Sequence, residues 1–217
     1  MKPYYQDNFV TLYHSACEDI LSDLGKFDLL LTDPPYGIKE NAHRIASKSK
    51  LAATTDYGDF EWDNLPADNK TLLLCRGKSD KQIIWGGNYF DLPPARGWLV
   101  WDKINSGNFA DAELAWTNLK MSVRIFRFMW NGMIRAGEGR IGKRVHPTQK
   151  PLELMKWCLD WATTANTILD PFAGSGTTGR AAKDLGRKCV LIEREEKYCE
   201  IAAKRLSQET LFDMMST

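Results

Sequence analysis

The chain has 217 residues, 43% of them hydrophobic and 26% charged, with 29 Lys and Arg balancing 28 Asp and Glu. That length suffices for one α/β domain with a full core, and the composition excludes a disordered, fibrous or disulfide-stapled protein. Five cysteines with no C-x-x-C pair and three scattered histidines supply no zinc-type ligand set, so no metal is expected. No apolar run approaches the ~20 residues of a membrane span. The odd cysteine count and the lack of a signal-peptide pattern point to a reducing, cytoplasmic setting.

Asn8–Tyr13 is rich in β-branched and aromatic residues and predicts a strand. Glu18–Leu24 predicts a short helix stopped by Gly25. Phe27–Thr32 is the next strand, and its unbroken Leu29-Leu30-Leu31 asks for burial on both faces, as in a parallel sheet. It ends at Asp33-Pro34-Pro35-Tyr36. Neither proline can continue a central strand. The backbone therefore leaves the sheet stiffly, setting Asp33 and Tyr36 at the C-terminal edge, where open α/β sheets bind ligands. The simpler alternative for these four residues is a proline-rich turn.

Residues 37–60 show little periodicity and predict a long functional loop. A helix is expected near Thr71–Leu74, and strands at Gln82–Trp85 and Trp98–Trp101. Glu113–Thr117 and Arg124–Phe128 are expected to pair with each other around Asn118–Met121. Trp130–Val145, dominated by Gly and Arg, predicts a flexible basic loop. Pro151 then opens a helix to Ala162 whose inner face is Leu152, Met155, Cys158, Leu159 and Ala162. Thr167–Leu169 is a strand ending at Asp170, and Thr177–Leu185 a helix. Lys188–Ile192 is a strand ending at Glu193, and Glu196–Leu206 closes the chain as a helix. No repeat or linker divides residues 1–217, which read as a single domain. Trp85, Trp98, Trp101 and Trp116 are assigned to packing.

Charge is distributed unevenly. Between Lys120 and Lys150 eight basic residues face Glu138 alone, and between Lys39 and Lys50 four face Glu40 alone. Two basic stretches on a neutral protein suggest local contact with a polyanion.

The second motif is Asp170-Pro171-Phe172-Ala173-Gly174-Ser175-Gly176, set between a strand and a helix. Its glycines allow close backbone approach and the helix start offers free N–H groups. Glu193 follows at the end of the next strand, where a carboxylate can accept both ribose hydroxyls. Gly174-x-Gly176-x-x-Gly179 also matches a dinucleotide fingerprint, which would mean a dehydrogenase. Only 38 residues follow Gly179, however, and hydride transfer has no use for Asp-Pro-Pro-Tyr. S-adenosylmethionine is the preferred ligand.

Asp33-Pro34-Pro35-Tyr36 together with Phe172-Ala173-Gly174-Ser175-Gly176 resembles the DNA amino-methyltransferases, in the motif order of their β group. His146-Pro147-Thr148-Gln149-Lys150-Pro151 is similar to that group's third signature, as is Glu193 with Tyr198 and Ala202–Leu206. Trp85-Gly86-Gly87-Asn88-Tyr89-Phe90, Trp98–Lys103 and Ala112–Trp116 resemble segments of small phage and prophage members. The resemblance implies a doubly wound, mostly parallel Rossmann-like α/β fold with circularly permuted motifs. It further implies methyl transfer from S-adenosylmethionine to adenine N6 of double-stranded DNA, as in restriction-modification, in a bacterial or phage-infected cytoplasm.

Asp33, Pro34, Pro35 and Tyr36 would be catalytic. Asp33 and the Pro34 carbonyl would accept the amino N–H groups and Tyr36 would stack on the flipped-out base. Asp170, Pro171, Phe172, Ala173, Gly174, Ser175, Gly176 and Glu193 would bind cofactor, with Thr148, Gln149 and Lys150 near its methionine end. An exposed helix-start position is the alternative for Lys150. Lys39, Arg44, Lys48, Trp130, Arg135, Arg140, Lys143 and Arg144 are the candidates for DNA contact, and a homodimer is compatible with the resemblance. Where the family has Gly-Asp after its first strand, this chain has Ser15-Ala16, with Glu18 and Asp19 just beyond. A head residue of Asp favours adenine over cytosine N4 and over RNA or protein amides. An inactive DNA-binding partner subunit is the non-enzyme alternative.

Overall fold

The computed structural model describes residues 1–37, 67–104, 110–129 and 149–209. The described strands form one nine-stranded sheet. In chain order they are β1 (Tyr5–Gln6), β2 (Val10–His14), β3 (Phe27–Thr32), β4 (Ser79–Trp85), β5 (Gly97–Asp102), β6 (Ala112–Thr117), β7 (Arg124–Arg127), β8 (Thr167–Asp170) and β9 (Lys188–Glu193). Across the sheet they run β1-β2-β9-β8-β3-β4-β6-β5-β7. The central run from β2 to β4 is parallel, and β6 is antiparallel to both β4 and β5. The helices are α1 (Cys17–Ile20), α2 (Asn69–Arg76), α3 (Leu152–Asp160), α4 (Thr177–Asp184) and α5 (Glu196–Leu206). The mostly parallel α/β architecture expected from the motifs is the one observed. None of these helices is long and apolar enough to cross a membrane.

The triple leucine of β3 shows why the centre is buried twice over. Leu29 and Leu31 join one apolar cluster with Trp85 and with Leu154, Leu159, Ala181 and Ala182 of α3 and α4. Leu30 joins the other, with Ile84, Ile20, Leu72 and Cys75. Side chains alternate faces along a strand, so a strand between two helical layers must be apolar throughout. All five cysteines are buried and unbridged.

The chain leaves β3 towards β4 on one side and β8 towards β9 on the other, so the β3/β8 boundary is the switch point where such sheets open a ligand crevice. That boundary is clamped at both ends. At its start Asp28 accepts the N–H groups of Asn166 (2.8 Å) and Thr167 (2.9 Å). At its finish Thr32 Oγ1 donates to Asp170 at 2.7 Å.

Three expectations need correction. β6 and β7 do not pair with each other, because β5 lies between them, antiparallel to β6 and parallel to β7. Assuming a local hairpin missed that β5 offers two edges. On α3 the fully buried residue is Leu154, while Leu152 is half-buried against the core. Pro151 is the N-cap residue, so Leu152 stands at the helix's first position, where the core covers it only in part. The short strand β1, antiparallel to β2, was not anticipated; two residues carry no periodic signal. The expected loops at 37–60 and 130–145 lie almost wholly outside the described residues.

Candidate functional site

The C-terminal ends of β2, β3, β8 and β9 surround a cavity of about 460 Å³. Asp33, Pro35, Gln149, Lys150, Glu193 and residues 170–175 all line it, so the structure brings the two principal motifs and part of the third to one place.

Glu193 ends β9 and is 9% exposed. Its Oε2 accepts the Gly174 N–H at 2.7 Å and its Oε1 the Glu195 N–H at 2.9 Å. Burial pushes its carboxyl above the usual range against the pull of those two donors. A carboxylate has about four lone-pair sites, so both oxygens retain capacity for the hydroxyls of a diol. Asp170 is more deeply enclosed. Burial pushes it up to about 6, while Thr178, Thr32 and the Phe172 N–H hold it down. A cavity rimmed by carboxylates short of counter-charge suits a ligand that is cationic and carries a ribose.

The glycine turn is built as the motif demands, though not for the expected reason. Gly174 and Gly176 have φ of +51° and +76°, backbone that L side chains adopt only under strain. A Cβ on Gly176 would lie 2.9 Å from the Ala202 Cβ, and one on Gly179 would lie 2.6 Å from Leu191 Cδ1. These two glycines let α4 close on β9 and α5; at Gly176 and Gly179 the close approach is to protein. On the opposite wall, Ser15 and Ala16 line the cavity together with Glu18 and Asp19. Glu18 and Asp19 of α1 thus line the cavity just beyond the place where the family pattern has its Asp. Glu18 also accepts the Thr71 hydroxyl at 2.7 Å, tying α1 to α2.

At the proline turn, Asp33 lines the cavity, Pro34 is buried and the Pro35 carbonyl accepts the Ala67 N–H at 3.0 Å. The Tyr36 hydroxyl donates to Asp33 Oδ1 at 2.5 Å. Its ring stacks on Tyr89 with centroids 5.0 Å apart and planes 20° apart, and meets Phe90 edge-on. Gly86, at φ +67°, makes room for it, since a Cβ there would lie 2.0 Å from Tyr36 Cε1. One face of the ring is therefore covered by Tyr89.

Lys150 is not the exposed helix-start residue of the alternative reading; it lines the cavity beside Gln149. It is 5% exposed, and its Nζ lies 2.6 Å from Asp33 Oδ2, 3.1 Å from Glu113 Oε2 and 3.3 Å from the Tyr36 hydroxyl. Glu113 in turn meets Lys103 at 2.5 Å. Burial would push Glu113 up, but Lys150 and Lys103 hold it down at about 2. Burial and the Glu113 charge raise Asp33 above the usual carboxylate range, with Lys150 opposing them. Glu113 and Lys103 were missed as site residues. Both lie in segments that carry the resemblance, but neither was given a role, and the β4–β6–β5 order carries them to the site.

Lys39, Arg44, Lys48, Trp130, Arg135, Arg140, Lys143, Arg144, His146 and Thr148 lie outside the described residues. Trp85, Trp101 and Trp116 are buried packing residues, as expected, and Trp98 is half-buried.

Comparison with known proteins converges on one family. A DNA methylase family model of the N6/N4 type matches residues 117–204. The type II methyltransferase M2.DpnII of Streptococcus pneumoniae is 28% identical, over 96% of this chain and 93% of its own length. Among solved structures, the M1.HpyAVI–SAM complex superposes with a TM-score of 0.54 at 20% identity, covering 92% of this chain and all of that one. The PvuII DNA methyltransferase, described as cytosine-N4-specific, superposes at 0.58 and 14% identity, over 97% of this chain and 90% of that one. With its motifs in the order and at the sheet edge described above, the chain is similar over nearly its whole length to type II DNA methyltransferases, and its residues 117–204 match the N6/N4-type DNA methylase family.

Proposed function

We propose that the protein methylates the exocyclic N6 of adenine in double-stranded DNA, with S-adenosylmethionine as methyl donor and the target base flipped out of the helix. The observation that carries this reading is the Thr32–Asp170 hydrogen bond between β3 and β8, which sets Asp33 at the rim of the carboxylate-lined cavity. Glu193 would hold the ribose, Asp170 the ammonium, and Phe172, Gly174 and Ser175 would shape the adenosine pocket, with Gln149 towards the methionine end.

When bound, the cofactor supplies an electrophilic sulfonium methyl. The protein must then localise a nitrogen lone pair that is delocalised into the base and present it in line. Asp33 does so by accepting one amino N–H and the Pro34 carbonyl by accepting the other, drawing density onto the nitrogen as positive charge develops. Asp33 would also be placed to receive the proton that the methylated nitrogen sheds. In the free protein Tyr89 covers one Tyr36 face, so stacking by the base calls for Tyr89 to shift or for use of the other face.

Adenine is preferred because the motif begins with Asp33; likeness to a cytosine-N4-specific structure keeps N4 of cytosine as the second reading. The basic stretches at 39–50 and 120–150 would contact phosphates, in the cytoplasm and as a homodimer. The test is transfer of labelled methyl from S-adenosylmethionine to unmethylated genomic DNA, followed by nucleoside analysis. N6-methyladenine is expected, N4-methylcytosine would move the assignment to the second reading, and no product despite cofactor binding would refute it. Asp33→Ala should abolish product while cofactor still binds; persistent activity would displace Asp33 from its role.

A further inference from the structure

We propose that Lys150 is a positioning residue for Asp33: seated between Asp33 and Glu113, its ammonium aims the Asp33 carboxylate into the cavity and keeps it in the ionised, hydrogen-bond-accepting form. This rests on the reading of Asp33 as the acceptor of the target amino group.

A lysine ammonium has three donors and no acceptor. Two of them are used, at Asp33 Oδ2 (2.6 Å) and the Tyr36 hydroxyl (3.3 Å), and the ammonium also forms an ion pair with Glu113 Oε2 at 3.1 Å while lining the cavity. The Tyr36 hydroxyl accepts from Lys150 and donates to Asp33 Oδ1, so each Asp33 oxygen is pinned by one donor. The remaining lone pairs are free to accept from a substrate. The arrangement is charge-balanced, with Lys103 and Lys150 facing Asp33 and Glu113. Burying such a set is tolerable only while each charge keeps its partners.

Among the described residues, the groups that face Asp33 are Tyr36 from its own turn, Lys150 from the entry to α3, Glu113 from β6 and Asp170 from β8. Lys103 stands behind Glu113 and Tyr89 behind Tyr36. Among them Lys150 is the cation that touches Asp33 directly. Without it Asp33 would confront Glu113 as one partly buried carboxylate confronts another, and a proton would be taken up at higher pH. A protonated Asp33 loses part of its accepting capacity, and transfer should fail on the acid side first.

The experiment measures single-turnover methyl transfer to unmethylated genomic DNA from pH 5 to 9, with cofactor affinity measured separately. Lys150→Met is expected to move the acid limb of the rate profile upward by about 1–3 pH units, with cofactor Kd unchanged. Lys150→Arg should keep the wild-type limb. Lys150→Met combined with Glu113→Gln removes the facing negative charge and should bring the limb back towards wild type, and it serves as the folded control should Lys150→Met alone melt. A rate lowered equally at every pH in both Met variants overturns the proposal, as does a Kd that weakens by the factor by which the rate falls. Wild-type protein that transfers methyl to no DNA would instead defeat the underlying reading of the site.

Discussion

Replacing Asp170 by Asn tests the electrostatics of the cavity through the stability of the free protein. Asp170 is 2% exposed, and burial pushes its carboxyl up to about 6 from an ordinary 3.8. A raised acid pKa means that the folded state holds the proton more tightly than the unfolded one. Stability therefore falls as pH rises between about 4 and 6, and the whole cost is present above 6. Two pH units correspond to about 3 kcal/mol. Asn removes the charge but also weakens the acceptance of Thr32 Oγ1 and the Phe172 N–H, a loss of about 1 kcal/mol. The variant should thus be more stable than wild type by about 2 kcal/mol at pH 7 and less stable by about 1 kcal/mol at pH 4. Glu113 acts with the opposite sign. Its carboxyl is held down at about 2, so its stabilisation is complete above pH 4.5 and fades below it. It is common to both proteins and cancels in the comparison. Urea unfolding of each without cofactor, at pH 4, 5, 6 and 7, reads the difference directly. A difference that is the same at every pH would refute the reasoning, because a packing effect has no titration. Cofactor affinity should move the other way at pH 7, since the charge that costs stability is the charge offered to the ammonium.

Two further outcomes follow from the glycine turn and its acid. Gly179→Ala places a Cβ 2.6 Å from Leu191 Cδ1, and Leu191 is fully buried with nowhere to retreat. Overpacking of about 1–3 kcal/mol outweighs the ~1 kcal/mol that Ala contributes to a helix, so the melting temperature should drop by a few degrees; a rise would show that α4 has slack against β9. Glu193→Gln keeps one acceptor but loses the charged one, which should weaken cofactor binding about tenfold or more in calorimetry. An unchanged Kd would remove Glu193 from the ribose.

Both principal motifs could be located without coordinates because each is local. A strand that stops at two prolines, and a strand, glycine turn, helix, strand and acid in succession, announce their geometry within a few residues. Glu196–Leu206 was legible to the residue for the same reason, its apolar spacing needing no distant partner. Errors appear where a residue's role depends on a partner remote in sequence. Gly176 reads as a ligand-facing glycine until Ala202 of α5 is seen against it. Lys150 could be read as a surface lysine because its contact with Asp33, 117 residues away, leaves no local signal in the sequence.

The antiparallel end of the sheet shows what this remoteness accomplishes. By inserting β6 between β4 and β5, the fold opposes Glu113 to Trp101, with Lys103 two residues further along β5's path. Had β6 paired with β7 as a hairpin, Glu113 would have been carried away from the proline turn. Lys150 would then have faced Asp33 alone. A single ammonium between two buried carboxylates is a different device from a simple pair. Asp33 and Glu113 together keep Lys150 charged, and Lys103 and Lys150 together hold Glu113 ionised. The topology beyond the parallel core therefore bears on the proposed chemistry, through the charge balance around one aspartate.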